Sequence, residues 1–576
     1  MKEHYDVVVV GGGPAGSTTA TLLKKYRSDV SVAIFEREVF PRDHIGESQL
    51  PGINRVLDEM GCWNKVEAAG FPIKVGATFR WGKQPELWDF EFVPSEIFIE
   101  YYKDTTRPAR FEGPRRHTAF QVDRSIYDKI LLDHAAEYGV DVHQGTKISS
   151  IEKQGDKIIA VKLESGERIT ASYFVDASGG AGTLRRAMDV PVDYPSHLMN
   201  VAFWDYWQNA DWAVEIGVGG TKIQVMSLGY GWIWFIPLGP TRTSIGLVIP
   251  AEYYKQSGKK PEELYLNALR EEERISSLLG NARREGKFTT TKDWSYLAQR
   301  QYGENWFLSG ESSGFADPIL SAGMTIAHMS GREVAFTILE LLKSTERENW
   351  LKEQYERRQA KRIGSHIRFA DFWYTANAQF VDIQGLTQKI AADWGLDLSP
   401  KNAWEWLARG GFIDDDLMTG TGSFDLYCVK HLAHLLADIP PQHPRSEYNV
   451  FRLNMDGAVH RHRAIYRDGT VTAGESYFRE DKVLPIDGAF KRIFEILKRT
   501  PYMEEILPTL EQQIASDPNV QQSKAAFLDC MQALEAMISD GWVIPSLDNR
   551  RRRANFSATN SAIRPHKDTP GHRPTE

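Results

Sequence analysis

Short apolar runs alternate with helix-compatible stretches along the first third of the chain, and that alternation predicts an α/β fold. Tyr5 to Val10 is a β-branched run, the turn Gly11-Gly-Gly-Pro-Ala-Gly16 follows it directly, and Ser17 to Tyr26 can form a helix. A second strand, Val30 to Phe35, ends at Glu36. Leu163 to Val175 reads as strand, turn and strand, and Lys222 to Pro250 as a run of hairpin strands. Inside that run lies Trp232-Ile-Trp234-Phe-Ile-Pro237. Residues two apart on a strand share a face, so the two indoles are expected to point the same way and form a wall. Pro237 marks the strand's end or an edge position. Ala327 to Leu342 reads as a helix. So do residues 346–400, where Phe369, Phe372, Trp373, Ala376 and Phe380 recur at helical spacing and predict a face packed on the preceding unit.

These elements predict an interrupted dinucleotide fold. Residues 1–345 are read as one catalytic unit in which a mixed β-sheet substrate domain breaks into the dinucleotide fold. Residues 346–400 are a helical segment packed on it, and 401–548 a C-terminal region of mainly helical α+β character. That region opens with a Gly- and acid-rich loop at 410–422 and holds a hairpin around Arg467-Asp-Gly469-Thr470. Residues 549–576, rich in Arg, Ser, Asn and Pro, are expected to be disordered.

Composition narrows the function classes. At a net charge of −8 with 25% charged residues, nothing suggests a nucleic-acid partner. Cys62, Cys428 and Cys530 are odd in number and lack CxxC spacing, which fits reduced thiols in a cytoplasm rather than a disulfide framework or zinc site. The N-terminus runs straight into the first strand and leaves no room for a signal peptide. The longest weakly charged stretch, 231–250, carries Pro237, Pro240 and Arg242 and reads as a hairpin, so no membrane span is expected. His460-Arg-His462 has one-apart spacing on a strand but no third ligand, so no metal site is assigned.

The order strand, Gly-rich turn, helix, strand, acid is the dinucleotide-binding fingerprint. Gly11 makes the tight turn, Gly13 lets the backbone approach a pyrophosphate, and Gly16 lets helix and strand pack, with Ala15 between them. The helix N-terminus offers free N–H groups to the diphosphate. Glu36, 20 residues beyond Gly16, stands where an acid takes ribose hydroxyls.

Other segments decide which dinucleotide. Val175-Asp-Ala-Ser-Gly-Gly180, Trp306 to Glu311, Gly314-Phe-Ala-Asp317-Pro318 and Ser321-Ala-Gly323 before a helix near Met324 resemble the flavin-contacting stretches of the para-hydroxybenzoate hydroxylase family. The resemblance implies FAD, with Glu311, where the family usually has Asp, at the ribityl chain. Pro318, Gly323 and Met324 would then lie at the ring, and Arg42, Ser48 and Arg124 join the cofactor site. Phe40-Pro-Arg42, Gly46-Glu47-Ser48 and Lys74 before Gly76-Ala-Thr-Phe79 come next, followed by Trp81-Gly82. Together with Trp232-x-Trp234-x-Ile-Pro they give the first 345 residues a resemblance to the flavin-dependent halogenases.

That resemblance implies an enzyme whose reduced FAD reacts with O2 to a C4a-hydroperoxide, which chloride or bromide attacks to give hypohalous acid. The Trp232/Trp234 wall would keep substrate off the flavin while the small oxidant passes. Lys74, desolvated and with a lowered pKa, would capture hypochlorous acid as a chloramine or orient it by hydrogen bonding. Glu47 would sit near the flavin and this passage, and the N–H groups of Ala322 and Gly323 would hold the halide. A separate flavin reductase would supply FADH2. Leu320 stands where the enzymes acting on free tryptophan carry Glu, which implies an electron-rich phenol or pyrrole, free or tethered to a carrier protein. Aromatic hydroxylases and isoprenoid reductases share this flavin fold, but neither needs the Trp pair together with Lys74.

Overall fold

The computed structural model describes residues 1–383 (apart from 84, 94, 104–105 and 197), 385, 444–517 (apart from 481), 523–554 and 563–566. The loop at 410–422 and Cys428 lie outside the described residues. The chain divides into two compact units. One comprises Met1–Gly395, Tyr466–Val471 and Arg564–Glu576, the other Leu396–Ile465 and Thr472–Ile563.

The dinucleotide half of the first unit is a sheet ordered Asp141–His143, Val32–Phe35, His4–Val10, Arg168–Asp176, Lys157–Leu163 and Ile148–Gln154. Trp306–Leu308 also pairs with Arg168–Asp176. His4–Val10 is parallel to both its neighbours. Val7, Val8 and Val9 are completely buried, which is why this strand reads as an unbroken apolar run rather than an alternating one. The Pro14–Tyr26 helix follows it and lies against the Ala322–Leu341 helix. The two approach at backbone contact, since a Cβ on Gly331 would stand 2.6 Å from the Ala15 carbonyl oxygen.

A second sheet carries the site's wall. Its main path runs Arg283–Arg284, Met199–Gln208, Arg242–Pro250, Trp232–Pro237, Gly220–Ser227, Ile73–Arg80 and Trp88–Glu91. The four strands from 199 to 250 form an antiparallel group, and Gly220–Ser227 then pairs in parallel with Ile73–Arg80. One face of Trp232–Pro237 packs Ile233 and Phe235 into an apolar cluster with Ile245, Leu247 and Tyr265. The other face, carrying the tryptophans, is turned to a cavity.

Residues 348–375 form one helix, Glu348–Thr375, with Phe369, Phe372 and Trp373 of the expected stripe buried within it; Ala376 caps it half-buried, and Phe380 is buried beyond its end. Trp373 packs against Phe79, Trp81 and Trp88. No described helix is long and apolar enough to cross a membrane.

The second unit, taken by itself, pairs Val450–Leu453 with Val543–Ser546 and packs the helices Gly488–Leu497, Met503–Ser516 and Ser523–Ser539 around a core that includes Phe451, Ile493, Leu510, Leu534 and Trp542. His460 and His462 are exposed on the Val459–Arg467 strand with ring centroids 5.6 Å apart. Composition predicts disorder over 549–576, yet residues 564–566 of the first unit are ordered at the edge of Trp88–Glu91, where the His566 N–H donates to the Leu87 carbonyl at 3.1 Å. An edge strand offers unpaired backbone groups, and a polar segment can satisfy them without any hydrophobic signal in its sequence.

Candidate active site

The Gly-rich turn is built by close approach. Gly11 has φ +104°, and a Cβ there would lie 2.4 Å from the Ala177 oxygen; one on Gly16 would lie 1.9 Å from the Gly11 oxygen. Above the turn lies a cavity of about 710 Å³, within the range of cofactor sites. Gly11, Gly13, Ala15 and Glu36 line it, as do Arg42, Ser48, Arg124 and Glu311. Pro318, Gly323, Met324 and both tryptophans line it too. Gly16 stays beneath the turn, Ala322 is packed in a small apolar cluster, and Lys74 stands behind the lining.

Each polar group has a definable state. Glu36 accepts from the N–H groups of Gly12 (2.7 Å) and Glu38 (2.8 Å), so it braces the turn as well as facing the cavity. Asp128 gathers both arginines: Arg124 donates twice, at 2.7 and 2.8 Å, and Arg42 lies 3.2 Å away. Burial pushes the Asp128 carboxyl up, but the Arg124 charge and its hydrogen bonds more than offset this, leaving it below the ordinary range. Arg124 also donates to the carbonyls of Ile45 and Gly46, which fixes the loop carrying Glu47 and Ser48. Glu311 stands beside Gly180, and burial pushes its carboxyl up against the pull of Arg124. Ser48 Oγ and Glu47 Oε2 are buried with no hydrogen-bond partner among the described residues. A Gly-rich cradle, flanking arginines and orphaned polar atoms fit an FAD molecule in this cavity.

Strand alternation aims Trp232, Trp234 and Ile236 into the cavity. The indole centroids are 6.0 Å apart. Trp234 lies over Gly246, where a Cβ would come within 2.1 Å of its ring, and its N–H donates to Ser244 Oγ at 3.2 Å. The N–H of Trp232 donates to Tyr374 Oη at 2.6 Å.

Lys74 is 2% exposed. Its Nζ donates to the Gln49 carbonyl at 3.0 Å and lies 3.4 Å from Ser321 Oγ, with the Phe92 ring 5.4 Å away. Burial alone pulls its pKa down to about 7. Ser321 lines the cavity, so one hydroxyl separates the amine from the flavin side. A β-bulge aims this lysine. Lys74 pairs with Thr221 and Gly76 with Lys222, leaving Val75 as an extra residue. A bulge breaks the two-residue alternation. Thr78 accordingly reaches Asp89, while Lys74 reaches Gln49 and Ser321.

Glu47 is buried near the Ser244 and Tyr206 hydroxyls and Arg242, all of which favour its charged form. Burial dominates and pushes its carboxyl up to about 7. Ser244 thereby touches both Glu47 and the Trp234 indole. Ser321 has φ +56° and turns the chain into the Ala322–Leu341 helix, whose first N–H groups have no intrahelical acceptor. Leu320 ends the short turn before it. The arrangement offers an amine that titrates near neutrality, a carboxyl that does the same, an anion-ready helix start and an aromatic screen.

One participant escapes sequence reasoning. Tyr374 lies beside the Trp373 stripe, and only its phenol among apolar neighbours hints at a role. Asp317 accepts from the Ile319 N–H at 2.8 Å, and burial pushes its carboxyl up to about 7. Asp89 and Glu91, on the Trp88–Glu91 strand, hold Lys222 at 3.0 and 2.8 Å.

Residues 6–108 and 102–380 match the family model described as Tryptophan halogenase. The Tryptophan 2-halogenase of Chondromyces crocatus is 34% identical over 351 residues, covering 59% of this chain and 62% of that protein. The chain therefore spans under two thirds of that relative's length. The 1H-pyrrole-2-carbonyl-(peptidyl-carrier protein) chlorinase of Pseudomonas fluorescens is 32% identical over 395 residues, 66% of this chain and 86% of that one. Among solved structures, CmlS, described as a flavin-dependent halogenase, superposes with a TM-score of 0.69 over 98% of this chain and 99% of its own. At 22% identity that likeness concerns the fold. The myxobacterial chondrochloren halogenase CndH gives a TM-score of 0.60 at 28% identity, over 76% of this chain and 98% of its own.

Proposed function

This chain belongs to the tryptophan halogenase family, and from that premise we propose that it halogenates an electron-rich aromatic ring using FADH2, O2 and chloride or bromide. The observation that carries this reading is Lys74: a buried amine whose neighbours among the described residues are neutral, one hydroxyl away from a cavity walled by two indoles. Reduced FAD, when bound, supplies the two-electron chemistry that lets O2 oxidise a halide to hypohalous acid. Gly11, Gly13, Ala15 and Glu36 hold the diphosphate and ribose end, while Arg42, Ser48, Arg124 and Glu311 hold the middle of the molecule. Pro318, Gly323 and Met324 then face the ring, and the N–H groups of Ala322 and Gly323 bind the halide.

Trp232 and Trp234 exclude an organic substrate from the ring but let a small oxidant past. The neutral Lys74 amine receives that oxidant. Either the Nζ–halogen bond forms as the oxygen leaves in water, or the amine directs the intact acid by hydrogen bonding. Glu47, with a pKa of about 7, holds or yields a proton at its carboxyl oxygen beside the wall.

Chlorination is favoured by the kinship with a carrier-bound pyrrole chlorinase, and a phenol or pyrrole, free or carrier-tethered, by Leu320. A separate flavin reductase and a cytoplasmic setting complete the reading. The test is to incubate the chain with FAD, a reductase, and chloride or bromide. Products from phenols, pyrroles, indoles and carrier-bound pyrrole are then read by mass spectrometry. A halide-dependent mass gain on a phenol or pyrrole is expected. Oxygenated product formed equally well without halide would overturn the reading.

A further inference from the structure

We propose that Tyr374 is a positioning residue for the tryptophan wall: its hydroxyl fixes the Trp232 indole from the Glu348–Thr375 helix and ties it to Asp317. The functional consequence rests on the halogenase reading, whereas the bracing itself does not.

The two indoles are held by different means. Trp234 gives its N–H to Ser244, on the adjacent strand of the same sheet. Trp232 gives its N–H to Tyr374 Oη at 2.6 Å, across 142 residues of sequence. Tyr374 Oη in turn lies 3.4 Å from Asp317 Oδ1, to which it donates, and receives the Asn200 amide at 3.4 Å. Trp232 and Tyr374 are 2% and 3% exposed, so water cannot take over the indole N–H. Trp81 meets both rings edge-on, with centroids 6.3 Å from Trp232 and 5.8 Å from Tyr374. An indole that turned away would leave both its own N–H and the phenol short of a partner. Asp317 lines the cavity immediately before Pro318. One hydrogen-bonded chain therefore couples the wall to the turn that leads into the Ala322–Leu341 helix. Half the screen belongs to the sheet, and the other half depends on a distant helix.

The test uses the full chain with Tyr374→Phe, Trp232→Phe and the double substitution. In protein labelled with 5-fluorotryptophan, the Trp232 fluorine resonance is assigned by its loss in Trp232→Phe. Tyr374→Phe is expected to shift or broaden that resonance while leaving the other tryptophans in place. In turnover, each single substitution is expected to raise the ratio of hydrogen peroxide released to halogenated product several-fold. The double variant should be no worse than Trp232→Phe, because both act through one contact. An unmoved Trp232 resonance in Tyr374→Phe, or effects that multiply in the double variant, would overturn the proposal. If Tyr374→Phe does not fold, Trp232→Phe alone decides: it keeps an aromatic screen and removes the N–H, so an unchanged peroxide ratio would equally overturn it. Should the unsubstituted protein make no halogenated product, the halogenase reading fails while the fluorine measurement still decides the bracing.

Discussion

Lys74 and Lys222 are two buried lysines in one sheet, one strand apart, and they solve the same problem in opposite ways. Lys222 is clamped by Asp89 and Glu91, at 3.0 and 2.8 Å. The clamp with Glu91 crosses Gly76, which pairs with Lys222 on one side and Glu91 on the other. Lys74, two residues earlier on the same strand as Gly76, faces a carbonyl, a hydroxyl and a phenyl ring. Burying an ammonium is costly unless a counter-charge is buried with it. Lys222 has its counter-charges and is held between them. Lys74 has none among the described residues, and burial pulls its pKa down to about 7. Burial alone does not mark a reactive lysine; burial without an acid does.

Removing the clamped lysine should break the fold most. Lys222→Met removes the cation that Asp89 and Glu91 share, although Asp89 keeps Thr78 Oγ1 and His566 Nδ1 as neighbours, and should cost about 3–5 kcal/mol. Urea unfolding checks this, and a variant as stable as the parent would mean the two acids are not held as charged groups.

The opposite sign is expected at Lys74. Its pKa falls from the ordinary 10.5 to about 7 on folding, so the unfolded chain binds the extra proton between those values and stability rises with pH across that window. At pH 6 the full penalty is present. Lys74→Met should therefore stabilise the protein there, on the order of 2–4 kcal/mol, and the gain should fade above pH 10. A destabilised Lys74→Met at pH 6 would show that the amine is better solvated than its neighbours suggest.

Glu47 mirrors this with a smaller shift. Its pKa rises from 4.5 to about 7 on folding, so the folded state holds the extra proton and stability is lost as pH climbs through 7. Glu47→Gln should gain on the order of 1–3 kcal/mol at pH 8 and little below pH 5. A gain that does not depend on pH would remove Glu47 from the set of groups poised near neutrality. The smallest effect belongs to Ser321→Ala, which deletes one of the two hydrogen-bond partners of Lys74 at a cost of about 0.5–1 kcal/mol. It should also reduce product formation modestly, measured against the Gln49 contact that remains.

What could be read from the chain follows the range of the interaction. The tryptophan wall and the Gly-rich turn are set by period two and by residues within one turn, so they are visible locally. The buried stripe at Phe369, Phe372 and Trp373 is visible for the same reason. Lys74 stands out only through the family resemblance, because the bulge that aims it depends on the register with Thr221 and Lys222. The clamp on Lys222 spans 131 and 133 residues and Tyr374 reaches Trp232 across 142, so neither leaves a local pattern. The ordering of residues 564–566 is decided by an open sheet edge, and composition does not report that.

In the proposed reaction Lys74 carries the oxidant from the flavin cavity to the substrate. Its most direct test is to measure O2 consumption and halogenated product together for Lys74→Met, loaded with FAD and supplied with a reductase, halide and an accepted aromatic ring. O2 consumption near that of the unsubstituted protein and a product yield lower by at least about 100-fold are expected. Near-normal halogenated product from Lys74→Met would contradict that role.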